Sequence, residues 1–302
     1  METLLSGKPI ATLIRGKIKE LIAEHGIRPT MQLIQSGNDP ASAYYVQNIV
    51  STGTKLGCEV QLHNLPADIG QSELMAIIAS ANADPAIHGI MLQKPLPRHL
   101  DDAQAGESID PSKDIDCLNP VNLGRIILSQ DALTPCTPMA VLCTLRHYKV
   151  PVAGKHAVII GRSAIVGKPL ANMLLWKKAW ADASVTVCHS RSENLADLTQ
   201  TADILIAALG RAEFVTADMI KKNSVLIDVG INEKIGADGK TGYVGDIDFN
   251  SCAAKALAIT PVPGGIGSVT TSLLWLNLLK AALGAQGTNK NIDDFLDFIF
   301  RE

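Results

Sequence analysis

Val158-Ile159-Ile160-Gly161-Arg162-Ser163-Ala164-Ile165-Val166-Gly167-Lys168-Pro169 decides the fold of this chain. The apolar run from Ala157 to Ile160 reads as a buried parallel strand. It breaks at Gly161, and the apolar spacing of Leu170, Met173 and Leu174 reads as a helix. A strand, a glycine turn and a helix make a seat for a dinucleotide pyrophosphate. The glycine permits the tight turn, and the helix start offers unpaired N–H groups at a positive dipole end. The spacing departs from G-x-G-x-x-G, because Ser163 holds the second glycine's place and the last glycine comes one residue late, at Gly167. Alone, such a loop also fits an ordinary strand-to-helix turn.

The next strand narrows the choice. Ser184-Val185-Thr186-Val187-Cys188 alternates and ends in His189-Ser190-Arg191-Ser192. An NAD site places an Asp or Glu near this point to accept the ribose 2′-hydroxyl. No acid stands here; Arg191 does, and Arg162 sits back in the first turn. Two guanidinium groups and a serine suit a 2′-phosphate, so NADP is favoured over NAD.

At 302 residues the chain is long for one domain, and two are expected. A hydrophobic fraction of 47% is ample for buried cores. A net charge of −3 gives no basic field for nucleic acid. No stretch is read as approaching a membrane span of about 20 apolar residues. Met1 to Lys8 lacks the basic start and apolar core of a secretory signal. Cys58, Cys117, Cys136, Cys143, Cys188 and Cys252 are scattered without metal-ligand spacing. Free thiols, a cytoplasmic location and no metal site are therefore expected.

Taken in order, residues 8–25 read as an amphipathic helix and Met31 to Ile34 as a strand. A helix over about 41–56, a strand over Glu59–Leu62, a helix over 72–83 capped by Ser72, and a strand over 89–92 come next. Alternation of this kind argues for parallel βαβ units. A structureless loop is expected from Gln93 to Asn122, and a loop so long is usually functional. Residues 138–147 read as a joining helix. Beyond it come strands near 157–160, 184–188, 204–208, 224–228 and 257–259, then helices over 269–283 and 292–300. The expected fold class is a two-domain α/β protein, with an N-terminal α/β catalytic domain and a Rossmann-like nucleotide-binding domain. In such sheets ligands bind at the carboxyl ends of strands, so a cleft between the domains is the expected active site.

Polar clusters punctuate the loops. Each has a bland account as a half-buried aromatic, a solvated turn or rigid punctuation between elements. They are Asp39-Pro40-Ala41-Ser42 with Tyr45-Val46, Gln93-Lys94-Pro95-Leu96-Pro97, and Lys113-Asp114-Ile115-Asp116. Further along come Pro135-Cys136-Thr137-Pro138, Asp228-Val229-Gly230-Ile231-Asn232, Gly245-Asp246-Ile247-Asp248 and Pro261-Val262-Pro263-Gly264-Gly265. With the Gly161 to Gly167 loop, and in this order, they resemble the methylenetetrahydrofolate dehydrogenase/methenyltetrahydrofolate cyclohydrolase family over nearly the whole chain.

The resemblance implies a folate-binding catalytic domain over 1–138 plus 269–302 and a Rossmann-like domain over 139–268, usually as a homodimer. It implies contacts from Tyr45, Gln93, Asp116 and the Pro263-Gly264-Gly265 turn to tetrahydrofolate one-carbon derivatives. NADP contacts fall on Gly161, Arg162, Ser163, Ser190 and Ile231, to which the charge argument adds Arg191. The implied reaction oxidises 5,10-methylenetetrahydrofolate to the 5,10-methenyl cation. Most members then hydrolyse the cation to 10-formyltetrahydrofolate.

One departure bears on the second step. Bifunctional members carry a lysine four residues past the tyrosine, and here that position is Ile49. An isoleucine neither takes nor gives a proton, and losing a general acid–base group costs on the order of 10² to 10⁴ in rate. Lys55 lies roughly 240° further around the helix and is no replacement. Cys117 for glycine, Ala140 for glycine and Ser268-Val269 for Pro-Met are lesser departures. The expectation is a dehydrogenase with weak or absent cyclohydrolase activity. The first alternative is the ordinary bifunctional enzyme, with Lys94 or an ordered water replacing the missing amine. The second is a non-catalytic folate or nucleotide sensor.

Overall fold

A computed structural model of the chain describes residues 3–37, 40–235, 241–288 and 291–300, with the side chains of 40–45 and 298 outside the description. In chain order the elements are β1 (Thr3–Leu4), α1 (Gly7–His25), β2 (Thr30–Ser36), α2 (Pro40–Leu56), β3 (Glu59–Leu65), α3 (Gln71–Ala83) and β4 (Gly89–Leu92). They continue as α4 (Asp102–Glu107), α5 (Pro120–Ile127), α6 (Cys136–His147), β5 (His156–Ile160), α7 (Gly167–Leu174), β6 (Ser184–Cys188) and α8 (Leu195–Thr199). The last are β7 (Ile204–Ala207), β8 (Val225–Asp228), β9 (Asn232–Ile235), β10 (Thr241–Val244), α9 (Phe249–Ala253), β11 (Ala258–Ile259), α10 (Ile266–Ala285) and α11 (Ile292–Ile299).

The chain divides into two compact units, Leu13–Cys136 with Thr271–Glu302 and Met1–Thr12 with Thr137–Thr270. Residues 1–12 therefore belong with the second unit and not, as expected, with the first. The reason is backbone pairing: β1 runs parallel to β11, with Thr3 opposite Ala258 and Leu4 opposite Ile259.

The first unit carries a parallel sheet in the order β3-β2-β4. Met31, Leu33 and Ile34 of the central strand β2 are buried, and so is all of β4 at the sheet's edge. The chain leaves β2 to one side for β3 and returns on the other for β4, so a topological switch point lies between β2 and β4. The stretch after β4 is not structureless, because it forms α4 and leads into α5. Asp101 and Asn119 start these helices by accepting N–H groups of their first turns. Gly70, not Ser72, holds the N-cap of α3.

The second unit carries six parallel strands in the order β1-β11-β8-β7-β5-β6. Counted from β5, the order is 2-1-3-4-5, a doubly wound sheet with its switch point between β5 and β7. The strand pair β1–β11 and the antiparallel hairpin β9–β10 were not expected from the sequence. Helix α10 corrects the membrane reading: 20 residues with a mean hydropathy of 1.3 are long and apolar enough to cross a bilayer. Val269, Leu273, Trp275, Leu276, Leu279 and Leu283 are nevertheless buried around it, as in the core helix of a globular fold.

Candidate active site

In the six-stranded unit the loop after β5 closes on itself. Gly161 has φ 136°, and a Cβ there would sit 2.2 Å from the carbonyl oxygen of Ala208, which follows β7. Only glycine tolerates both the dihedral and the approach. A Cβ on Gly167 would lie 2.0 Å from the Gly161 oxygen, so the start of α7 is drawn against the turn. Ser163, in the second glycine's place, accepts the Val166 N–H on its Oγ at 3.1 Å and takes the Lys168 N–H on its carbonyl at 3.1 Å. The result is a bare backbone cradle at the switch point, which fits a pyrophosphate.

Arg162 and Ser163 are exposed at the end of β5, and Ser190 and Arg191 stand at the end of the neighbouring β6. The Gly161 N–H donates to Cys188 at 2.9 Å, which ties the two strand ends together. His189 shapes the second turn: its N–H donates to Ser192 Oγ at 3.0 Å and its Nδ1 accepts the Arg191 N–H at 3.1 Å. Two cations and two hydroxyls on adjacent strand ends form a donor set suited to a phosphate on the ribose. Ile231, 62% exposed, lies where a Cβ on Gly267 would touch its Cδ1 at 3.4 Å.

Two residues quoted only as motif members prove to be the anchors of this unit's loops. Asp228 accepts the N–H groups of Gly230, Asp246 and Ile247 at 2.9, 2.9 and 2.8 Å. Asp246 accepts those of Leu209, Gly210 and Arg211 at 2.5, 2.9 and 2.8 Å, and the Asn232 amide at 2.9 Å. Burial pushes the Asp228 carboxyl up to about 6 despite these donors. The available signal was an aspartate within two residues of a glycine in both motifs. A Cβ on Gly230 would strike Asp246, and one on Gly245 would strike Asp228. The Pro263-Gly264-Gly265 turn belongs to this unit too, with Gly264 at φ 98° accepting the Gly7 N–H at 2.8 Å.

Gln93, Lys94 and Asp116 come together in the three-stranded unit. Gln93 follows β4 at the switch point and donates its N–H to Ile34 of β2 at 2.8 Å. Its side-chain Nε2 donates to the Lys94 carbonyl at 2.8 Å, while its buried Oε1 has no partner among the described residues. Such an orphan acceptor is costly unless a ligand supplies the donor. Lys94 Nζ pairs with Asp102 at 2.9 Å. Residues 113–116 run beside β4, where the Ile90 N–H donates to Lys113 at 2.7 Å and Ile90 pairs with Asp114.

Lys113 and Asp114 are structural. Lys113 Nζ donates to the carbonyls of Ala81, Asn82 and Asp84 at the end of α3. Asp114 is fully buried and accepts the N–H groups of Leu118 and Asn119 and the Asn122 amide. Half-buried Asp116 is different. Burial, then the neighbouring Asp114 charge, push its carboxyl up to about 7, while Lys94 draws it back. It can therefore hold or release a proton near neutrality. Cys117, in the usual glycine's place, adopts φ 58°, a dihedral that favours glycine.

Ile49 is fully buried on the face of α2 that also buries Val46, Gly53 and Leu56. A Cβ on Gly53 would lie 2.6 Å from the Trp275 ring, so this face is packed tightly. Tyr45 lies in α2, with its side chain outside the described residues. A cavity of about 470 Å³ opens at the other end of β4, lined by His88, Lys113, Asn122 and Lys280. It lies away from Gln93, and its lysines are engaged by Asp131 and backbone carbonyls. Among the described residues no cluster of metal-ligating side chains occurs.

Comparisons with known proteins agree with this layout. Residues 5–116 match the family model "Tetrahydrofolate dehydrogenase/cyclohydrolase, catalytic domain". Residues 135–286 match "Tetrahydrofolate dehydrogenase/cyclohydrolase, NAD(P)-binding domain". The chain is 44% identical to the "Bifunctional protein FolD" of Chlamydia pneumoniae over 277 residues, covering 91% of this chain and 96% of the relative. Among solved structures, the bifunctional FolD of Campylobacter jejuni superposes with a TM-score of 0.88 at 38% identity, covering 94% of this chain and 99% of the other. FolD of Trypanosoma brucei, solved with NADP cofactor and an inhibitor, gives 0.87 at 34%, covering 94% and 98%.

Proposed function

Because the chain belongs to the tetrahydrofolate dehydrogenase/cyclohydrolase family, we propose that it oxidises 5,10-methylenetetrahydrofolate to the 5,10-methenyl form with NADP and hydrolyses that product to 10-formyltetrahydrofolate. The observation that carries the reading is the group at the end of β4. There the orphan Oε1 of Gln93 stands beside Lys94, and the half-buried Asp116 carboxyl is poised near 7. An amide that accepts and a carboxyl that exchanges a proton suit the N–H groups of a reduced pterin.

Bound NADP would accept the hydride. The chain's part in that step is to hold the partners. The Gly161–Gly167 backbone receives the pyrophosphate, and Arg162 and Arg191 select the 2′-phosphate. The oxidised carbon becomes a cation stabilised by its own nitrogens, so positioning supplies most of the catalysis. Hydrolysis asks more, because water must be oriented and protons moved.

A second reading keeps the dehydrogenase and loses most of the hydrolysis. Ile49 favours it, as an aliphatic, fully buried side chain where bifunctional members carry lysine. The experiment that separates the readings is to give the purified chain methenyltetrahydrofolate and follow its conversion. Hydrolysis well above the uncatalysed rate supports the bifunctional reading; NADP reduction without it supports the second. A homodimer in the cytoplasm is part of the proposal. The described cysteines, free and buried, are consistent with that location.

A further inference from the structure

Hydrolysis of the methenyl group needs a proton carrier, and assigning one rests on the bifunctional reading of this chain. Water bonds to the methenyl carbon and loses one proton. The tetrahedral intermediate then breaks a carbon–nitrogen bond, and the electron pair stays on a nitrogen that must be protonated. Its hydroxyl loses the remaining proton as the carbonyl forms. One side chain that both gives and takes a proton serves this collapse.

With the Asp116 carboxyl given to the pterin N–H groups in the proposed function, the described residues around it leave few candidates. Asp114 has its oxygens engaged by three donors and is sealed from solvent. The thiols of Cys117 and Cys136 are buried, and burial holds both in the protonated form. Lys113 is fixed on three carbonyls. Lys94 is neither sealed nor saturated. It follows Gln93 directly, and its carbonyl holds the Gln93 amide in place. Its side chain is 35% exposed, and it pairs with Asp102, which stands at the start of α4. Lys94 also draws the Asp116 carboxyl down, so the two charges lie within electrostatic reach.

We propose that Lys94 is the proton carrier of the hydrolytic step and that Asp102 is the residue that positions it. The water oxygen bonds to the methenyl carbon, and its first proton leaves to solvent. The Lys94 ammonium gives a proton to the departing nitrogen as the carbon–nitrogen bond breaks. The resulting amine takes the second water proton from the hydroxyl as the carbonyl closes, which restores the ammonium. One proton is released overall, and nothing is oxidised or reduced.

The test is made on the full purified chain as the ratio of two rates, methenyltetrahydrofolate hydrolysis over NADP reduction with methylenetetrahydrofolate. In Lys94→Met the ratio is expected to fall by about 10² or more, in line with the loss of a general acid–base group. In Lys94→Arg, which keeps the charge but does not release its proton, it stays low as well. Asp102→Asn lowers the ratio less, by about tenfold, because the amine remains but its position is loosened. A ratio within about threefold of wild type in Lys94→Met, or one restored in Lys94→Arg, overturns the proposal while leaving the bifunctional reading intact. A wild-type chain that reduces NADP but does not accelerate hydrolysis overturns both. Should Lys94→Met not fold, the arginine variant alone decides.

Discussion

The carboxylate of Asp228 accepts the backbone N–H of Asp246 at 2.9 Å, while the Asp246 carboxylate turns away to the loop after β7. The pair links the ends of β7 and β8 and the segment after β10, which surround the nucleotide cradle of this unit. Asp246→Asn would turn an acceptor oxygen into an NH₂ group facing N–H donors. Each buried donor left unpaired costs about 1–3 kcal/mol. The variant should lose about 2 kcal/mol, lowering the melting temperature by roughly 4–8 °C. It should also bind NADP more weakly, as a thermal melt with and without the nucleotide will show.

Gly167 permits no side chain. A Cβ there meets the Gly161 oxygen at 2.0 Å and the Gly161 carbon at 2.6 Å, backbone atoms that cannot rotate aside. Gly167→Ala should force the cradle open, at a cost of about 1–3 kcal/mol or more. NADP affinity should be lost before the fold is. Calorimetric titration of the folded variant checks this, and affinity equal to wild type would contradict the cradle.

Much of this was legible in residues alone. The Val158 to Pro169 stretch announced its strand, turn and helix because a buried parallel strand and a glycine break are local signals. Gln93 and Asp116 were found only through a resemblance, since nothing local says that residues 113–116 lie beside β4. The strand β1 was missed because two residues have no periodicity; its partner lies more than 250 residues away. Helix α4 was hidden in a run read as loop, although Asp101 is an ordinary cap. The anchoring by Asp228 and Asp246 is tertiary and left only its glycines as a trace.

In the proposed reading, Arg162 and Arg191 carry the preference for NADP. Each hydrogen bond to a charged group contributes about 1.5–3 kcal/mol. Either arginine changed to alanine should weaken NADP by roughly ten- to a hundredfold and leave NAD nearly unchanged. Dissociation constants for both nucleotides measure this; an equal loss for NAD would show that the arginines bind the shared pyrophosphate.

Asp116 gives a pH signature. Its folded carboxyl is raised from an ordinary 3.8 to about 7, chiefly by burial. The folded state therefore binds the extra proton. The stability this confers is full below about pH 4 and is lost as the pH rises through about 7. Asp116→Asn removes that loss. The melting temperature of the variant minus that of wild type should grow between about pH 5 and pH 8, by at least roughly 2 °C. Asp228 titrates in both proteins and cancels in the difference. A difference that is flat across this range would contradict the raised carboxyl.

The most direct test of the account is the product balance of one reaction, the purified chain with methylenetetrahydrofolate and NADP, quenched and separated over time. The account predicts NADPH matched by 10-formyltetrahydrofolate, with the methenyl form staying low. NADPH matched instead by a methenyl form that decays only at its uncatalysed rate would contradict the hydrolytic half and the role of Lys94, and no NADPH at all would contradict the whole.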